Sequence, residues 1–227
     1  MTSRRWQLVA AFALAAAAGG AQAAVTQVAA NGFRVLHTVE VRGTPARAWK
    51  ALVDVGAWWD PEHTYSGDAR NMRIDARAGG CFCERLKGQG GVEHARVVYV
   101  APREALRLRG ALGPLQQYGL AGSLTLVLKA LPEGRTRITL EYVVGGFMPG
   151  GLEPIAPAVD QVLTSQLERL RSYVDTGRAG VPAKCTASTR WRPWRSRRSA
   201  ASRTSTWMPS TPPSSCCATR SSRASPS

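Results

Sequence analysis

Residues 156–176 constrain this chain more than any other stretch. Ile155, Val159, Val162, Leu163, Leu167, Leu170, Tyr173 and Val174 recur at three- and four-residue steps, and Gln166 is the one polar residue on that stripe. This is the period of a helix with one buried face. Asp160, Gln161, Glu168, Arg169 and Arg171 fall mostly on the other side. Pro157 suits a first helical turn, where its missing N–H costs nothing, and Gly177 suits the stop. A single long amphipathic helix needs a surface to lie on. Nearly everything before it reads as short strands, so the expected architecture is a sheet wrapped around one helix.

Residues 33–42 alternate, with Phe33, Val35, His37, Val39 and Val41 on one face and Arg34, Leu36, Thr38, Glu40 and Arg42 on the other. That pattern predicts a strand with one buried face. Thr44 and Pro45 then open a short helix with Ala48, Trp49, Leu52 and Val53 inward, which Gly56 is expected to end. Further strands are predicted over 71–77, 81–86, 92–100, 105–110, 120–131 and 135–144, separated by Gly-rich turns such as Ala78-Gly79-Gly80 and Pro132-Glu133-Gly134. Residues 145–151 read as a flexible hinge into the last helix. Strands at this spacing, with a helix near each end, indicate an antiparallel α+β domain.

The 227 residues suffice for one domain with material to spare, and the net charge of +15 must be divided along the chain. Residues 1–177 hold 20 Lys and Arg against all 15 Asp and Glu, whereas residues 178–227 hold 10 basic residues and no acid. The basicity belongs to the tail, which excludes a nucleic-acid module for the domain itself. Residues 1–23 read as an export signal: Arg4 and Arg5, an apolar run over 8–18, then Ala21-Gln22-Ala23 as a small-residue cleavage site. That run is too short to span a bilayer, which needs ~20 residues. The expected organisation is a signal peptide at 1–23, a linker at 24–32, a domain at 33–177 and a disordered basic tail at 178–227. The tail's Arg, Ser, Pro and Ala mixture also matches a GC-rich gene read in a shifted frame. A mature chain beginning at Ala24 would be periplasmic or secreted.

Several stretches together carry a family resemblance. They are Val39-Glu40-Val41 with the helix from Pro45 to Leu52, then Trp58-Trp59-Asp60-Pro61, then Ala78-Gly79-Gly80-Cys81-Phe82-Cys83-Glu84, and Val97-Val98-Tyr99-Val100-Ala101-Pro102. With the order strand, helix, six antiparallel strands and long helix, the chain resembles the helix-grip fold of the SRPBCC superfamily (START, polyketide cyclase and Hsp90-ATPase-activator-like proteins) over roughly residues 33–176. The resemblance implies a cavity between a curved sheet and the C-terminal helix, holding a small hydrophobic molecule. It implies neither a cofactor nor a metal.

Polar or aromatic residues that could reach such a cavity are Trp58, Trp59, Tyr65, Glu84, His94, Tyr142 and Gln166, with Gln116, Gln117 and Tyr118 as further candidates. The tryptophans either plug one end of the core or line a pocket mouth. Glu84 and His94 are the best acid–base pair, as a cyclase- or dehydratase-like enzyme would need, or else they are hairpin-surface residues. Binding without catalysis is the preferred reading. Cys81 and Cys83 lie two apart on one strand face, where a disulfide would be strained near the ~7 Å Cα limit. A zinc site from Cys81, Cys83, His94 and His63 is a weak pattern, so buried free thiols are expected.

Overall fold

The computed structural model describes residues 24–180. The expected export signal at 1–23, and the basic tail beyond residue 180, lie outside the described residues. The hairpin of β1 (Ala24–Ala29) and β2 (Gly32–Arg42) leads into two short helices, α1 (Pro45–Val53) and α2 (Val55–Trp58). Six strands follow: β3 (Met72–Ile74), β4 (Cys81–Arg85), β5 (Gly91–Ala101), β6 (Ala105–Arg109), β7 (Gly119–Leu131) and β8 (Arg135–Phe147). The last element is α3 (Ala156–Thr176). All the strands pair antiparallel in one eight-stranded sheet, in the order β1-β2-β8-β7-β6-β5-β4-β3. The curved sheet and its C-terminal helix make the α+β helix-grip architecture.

The alternation of β2 places Phe33, Val35, His37, Val39 and Val41 inward, as their period requires. Its neighbour β8 contributes Ile138, Leu140, Tyr142 and Val144, and β7 contributes Leu124, Leu126 and Leu128. Against these lie Leu163, Leu167, Leu170 and Val174 of α3, all buried in the same cluster. The chain leaves α3 through Gly177 at φ 75°, whose N–H donates to the Tyr173 carbonyl. That left-handed stop is one that glycine makes without strain. At α1, the Thr44 hydroxyl accepts from the Arg47 N–H and Pro45 occupies the first turn.

Four expectations need correcting. Residues 24–32, read as a linker, contain β1, whose main chain pairs with β2 around a bulge after Val25. Residues 145–151, read as a hinge, begin as the end of β8, because the Gly146 N–H donates to the Asn31 carbonyl. The Leu152 N–H likewise donates to Ala30. Gly56 does not end the first helix. The break falls at Asp54, and Gly56 lies within α2, where a Cβ would sit 3.0 Å from the Met72 carbonyl oxygen and 3.1 Å from that of Ala69. The strand predicted over 71–77 stops at Ile74, since Asp75 and Arg77 turn the chain through an Arg77 N–H to Asp75 carbonyl bond.

Leu170 is fully buried between helix and sheet. Leu170→Ala should cost about 3 kcal/mol in urea unfolding, within the usual range for truncating a buried leucine. Arg171→Ala, one residue on and half exposed, should stay within about 0.5 kcal/mol of the parent.

Candidate functional site

Between the sheet and α3 lies an apolar cavity of about 30 Å³. Leu124, Leu126 and Leu140 wall it from the sheet, Leu163, Leu167 and Leu170 from α3, and Trp58, Trp59 and Phe82 from one end. Gln166 is the one polar residue in the lining. The cavity occupies the place the resemblance implies, but its size is far below the ~300–1,000 Å³ of ordinary ligand pockets. It has room for a water or two, though apolar walls of this kind stay dry.

The end wall is set by hydrogen bonds to α3. Trp58 is buried, with its indole N–H donating to the Ala51 carbonyl at 2.9 Å. Trp59 donates to the His63 carbonyl at 3.2 Å and meets Phe82 edge-on, 5.4 Å between ring centres. Gln166 Oε1 accepts from the Asp60 N–H at 2.9 Å. Its amide nitrogen must therefore donate, and it does so to His63 Nδ1 at 2.9 Å. Arg169, one turn on, donates to the carbonyls of Trp58 and Trp59. Trp58 thus plugs the core, while Trp59 is half-buried.

A second polar cluster lies on the sheet. Phe82 pairs with Ala95 and the next residue, Cys83, pairs with Glu93, so His94 is the extra residue of a β-bulge in β5. The bulge turns His94 and Ala95 to the same buried side. Glu84 follows the alternation of β4 and is likewise buried. Its carboxylate accepts from the Tyr65 N–H at 3.1 Å, from the Ser66 N–H, and from His94 Nε2 at 2.9 Å. Burial pushes the Glu84 carboxyl up, but the Ser66, Tyr65 and His94 donors outweigh it and hold the carboxyl below its ordinary range. Burial holds the His94 imidazole below its usual value, with Glu84 opposing. Tyr65 stacks on His94 at 5.9 Å, and burial followed by the Glu84 charge raises its phenol.

Of the residues singled out from sequence, Trp58, Trp59 and Gln166 meet at the cavity, while Tyr65, Glu84 and His94 form the separate cluster that ties down the 65–66 loop. Tyr142 stands apart. It is fully buried, its hydroxyl accepts from the Leu112 N–H at 3.0 Å, and burial pushes it up to about 12. Gln116 donates to the carbonyls of Glu93 and His94. The sequence pattern put His37 on the buried face without assigning it a role. His37 Nε2 lies 2.9 Å from Asp160 Oδ1 and 3.2 Å from the Thr164 hydroxyl, joining β2 to α3. The i, i+4 spacing of Asp160 and Thr164 was the available signal.

The free thiols expected at Cys81 and Cys83 are joined in a disulfide, with Cα atoms 5.4 Å apart. Two residues of regular strand span about 6.6 Å. At 5.4 Å the pair is closer than that and lies well within ordinary bonding range. The sulfurs also leave the strand on the face opposite His94, so the four residues weighed for zinc are split. Among the described residues no group of three or more His, Cys, Asp or Glu is placed to hold a metal ion, and no helix is long and apolar enough to cross a membrane.

No protein-family model matches the chain, and no curated protein does. Among solved structures, the conserved protein of unknown function EF2215 from Enterococcus faecalis is similar at a TM-score of 0.50 and 12% identity, over 70% of this chain and 80% of that one. CalU16 from Micromonospora echinospora is similar at 0.43 and 14%, over 68% and 80%. DynU16, from the dynemicin biosynthetic locus, is similar at 0.44 and 18%, over 66% and 49%. At these identities the likeness speaks for the fold alone, and only the first score is high enough to carry even that.

The Glu84 cluster generates a pH dependence. Its carboxyl is lowered from 4.5 in the fold, so it contributes stability above that value and loses it as pH falls through the folded value. His94 is lowered from 6.5, so its contribution too is present above 6.5 and lost on acidification. Urea midpoints should decline below about pH 6.5. Glu84→Gln should cost about 2 kcal/mol at neutral pH and flatten the decline below about pH 4.5, since charged hydrogen bonds of this kind contribute ~1.5–3 kcal/mol. An acid limb identical to the parent's would place the titrating group elsewhere.

Proposed function

We propose that the chain is an exported, SRPBCC-like protein that binds a small hydrophobic molecule between the sheet and α3. The observation that carries this reading is the position and lining of the cavity. It lies under α3, its walls are apolar except for Gln166, and both polar atoms of that residue are engaged by Asp60 and His63. A molecule larger than about 30 Å³ requires that wall to move. The movable part is the 58–66 segment, which is held by side-chain hydrogen bonds rather than by a strand ladder. Export is supported by residues 1–23, and the Cys81–Cys83 disulfide suits an oxidising compartment. The reading needs no cofactor, metal or nucleic acid.

The cyclase- or dehydratase-like alternative would use Glu84 and His94 as base and acid. In this conformation the carboxylate is occupied by two main-chain amides and the imidazole, and neither residue lines the cavity. Non-catalytic binding is therefore the better-supported of the two.

The test is native mass spectrometry of the full chain purified from the periplasm, followed by thermal-shift screening with small apolar compounds. The expected results are an N-terminus at Ala24, a co-purified apolar mass, and a rise in Tm of several degrees with compounds of that class. Leu126→Phe, which fills the cavity, should abolish the shift while remaining folded. If no compound binds, or if binding survives Leu126→Phe unchanged, the cavity is not the site.

A further inference from the structure

The disulfide between Cys81 and Cys83 joins residues only two apart. A disulfide stabilises chiefly by constraining the unfolded chain, and more so for longer loops, so a link this short gains less from that effect than a long-range one. The strand that carries it is also held without it, since β4 is hydrogen-bonded to β3 on one side and β5 on the other. The link therefore does little that a structural staple would do.

Its surroundings suit reaction instead. Phe82 and Glu84 point into the core, and the alternation of β4 leaves both cysteines partly exposed on the opposite face. Arg96 pairs directly with Cys81, and Arg73 with Cys83, so two arginines share that face of the sheet with the cysteines. Glu93 pairs with Cys83 from the other side and forms an ion pair with Arg96, so these two charges offset one another and Arg73 carries the remaining positive charge. Accessible sulfurs among cations are those whose thiolate is stabilised and whose exchange is fast.

We infer that Cys81 and Cys83 form a redox-active pair that undergoes thiol–disulfide exchange with external thiols. In the reductive direction, an external thiolate attacks one Sγ, the Cys81–Cys83 bond breaks, and the other sulfur leaves as a thiolate that takes up a proton. A second external thiol attacks the outer sulfur of the mixed disulfide and releases the remaining cysteine. The pair gains two electrons and two protons, and two thiols become one disulfide. The oxidative direction is the reverse. This inference is independent of whether the cavity binds a ligand.

The experiment equilibrates the native full chain with glutathione buffers of graded reduced-to-oxidised ratio. After quenching with iodoacetamide, peptide mapping reads the Cys81–Cys83 peptide separately from Cys185, Cys216 and Cys217. The expected result is a reversible titration of this peptide between disulfide and doubly alkylated forms, with Tm moving by no more than a few degrees. Reducing the positive charge with Arg73→Gln and Arg96→Gln should slow the exchange several-fold. A pair that stays oxidised in fully reduced glutathione, or whose reduction unfolds the chain, is a structural staple and overturns the inference. So does a pair found as free thiols in protein purified under oxidising conditions. The Cys81→Ser/Cys83→Ser double variant should fold with a Tm close to the parent's, and a variant that cannot fold would again mark the link as structural.

Discussion

Gln166 sits in the middle of the apolar face of α3 and is almost wholly removed from water. An amide buried there without partners would cost about 1–3 kcal/mol. Its partners come from a segment more than 100 residues earlier, the Asp60 N–H and the His63 ring. The seating of α3 on the sheet and the conformation of the chain after α2 therefore depend on one another. With that segment in place, the Trp58 and Trp59 carbonyls come within reach of Arg169, and the two indoles close the end of the core. The helix does not merely cover the sheet. It organises the loop that seals it.

The same loop is held from the sheet side by a charge. Glu84 is ionised and buried, which is tolerable only because two main-chain N–H groups and His94 all point at its carboxylate. His94 reaches it because of the bulge in β5, since without the extra residue the alternation would turn the imidazole outward. Tyr65 is held there through its backbone N–H on Glu84 and its ring beside His94. Helix and sheet thus grip successive parts of one segment, residues 58–63 from α3 and 65–66 from β4 and β5.

How much of this was legible in the sequence follows from what each feature depends on. The period of α3, with Gln166 inward, and the alternation of β2 are repeating side-chain patterns, and they translate directly into structure. β1 and the end of β8 were not legible, because they are held by main-chain bonds at Ala30, Asn31 and Gly146 that leave no mark on side-chain pattern. Glu84 and His94 are identifiable as a pair, and Glu84 follows the alternation of β4, but the inward direction of His94 depends on a one-residue bulge that alternation cannot show. The disulfide is not legible for a related reason: on a regular strand the ~7 Å Cα limit disfavours it, whereas the two Cα atoms lie 5.4 Å apart. The location of the cavity came from the family resemblance rather than from any residue.

The small cavity and the gripped loop bear on one another. For the proposed ligand to enter by displacing residues 58–66, seven side-chain hydrogen bonds must yield: two at Gln166, two at Arg169, two amides at Glu84 and the Trp58 indole's bond to Ala51. At roughly 1 kcal/mol net for each neutral bond and about 1.5 kcal/mol for each charged one, complete opening costs about 9 kcal/mol. Burying apolar surface returns ~25 cal/mol per Å², so offsetting that cost takes about 360 Å² of ligand and wall together. A small apolar molecule lodged between Leu126, Leu140, Leu163 and the two indoles can supply such an area, whereas a single water-sized guest cannot. The polar grip therefore sets a lower bound on what the site would hold. It favours a molecule large enough to replace the loop's contacts with its own, and it keeps the apolar seam closed until such a molecule arrives.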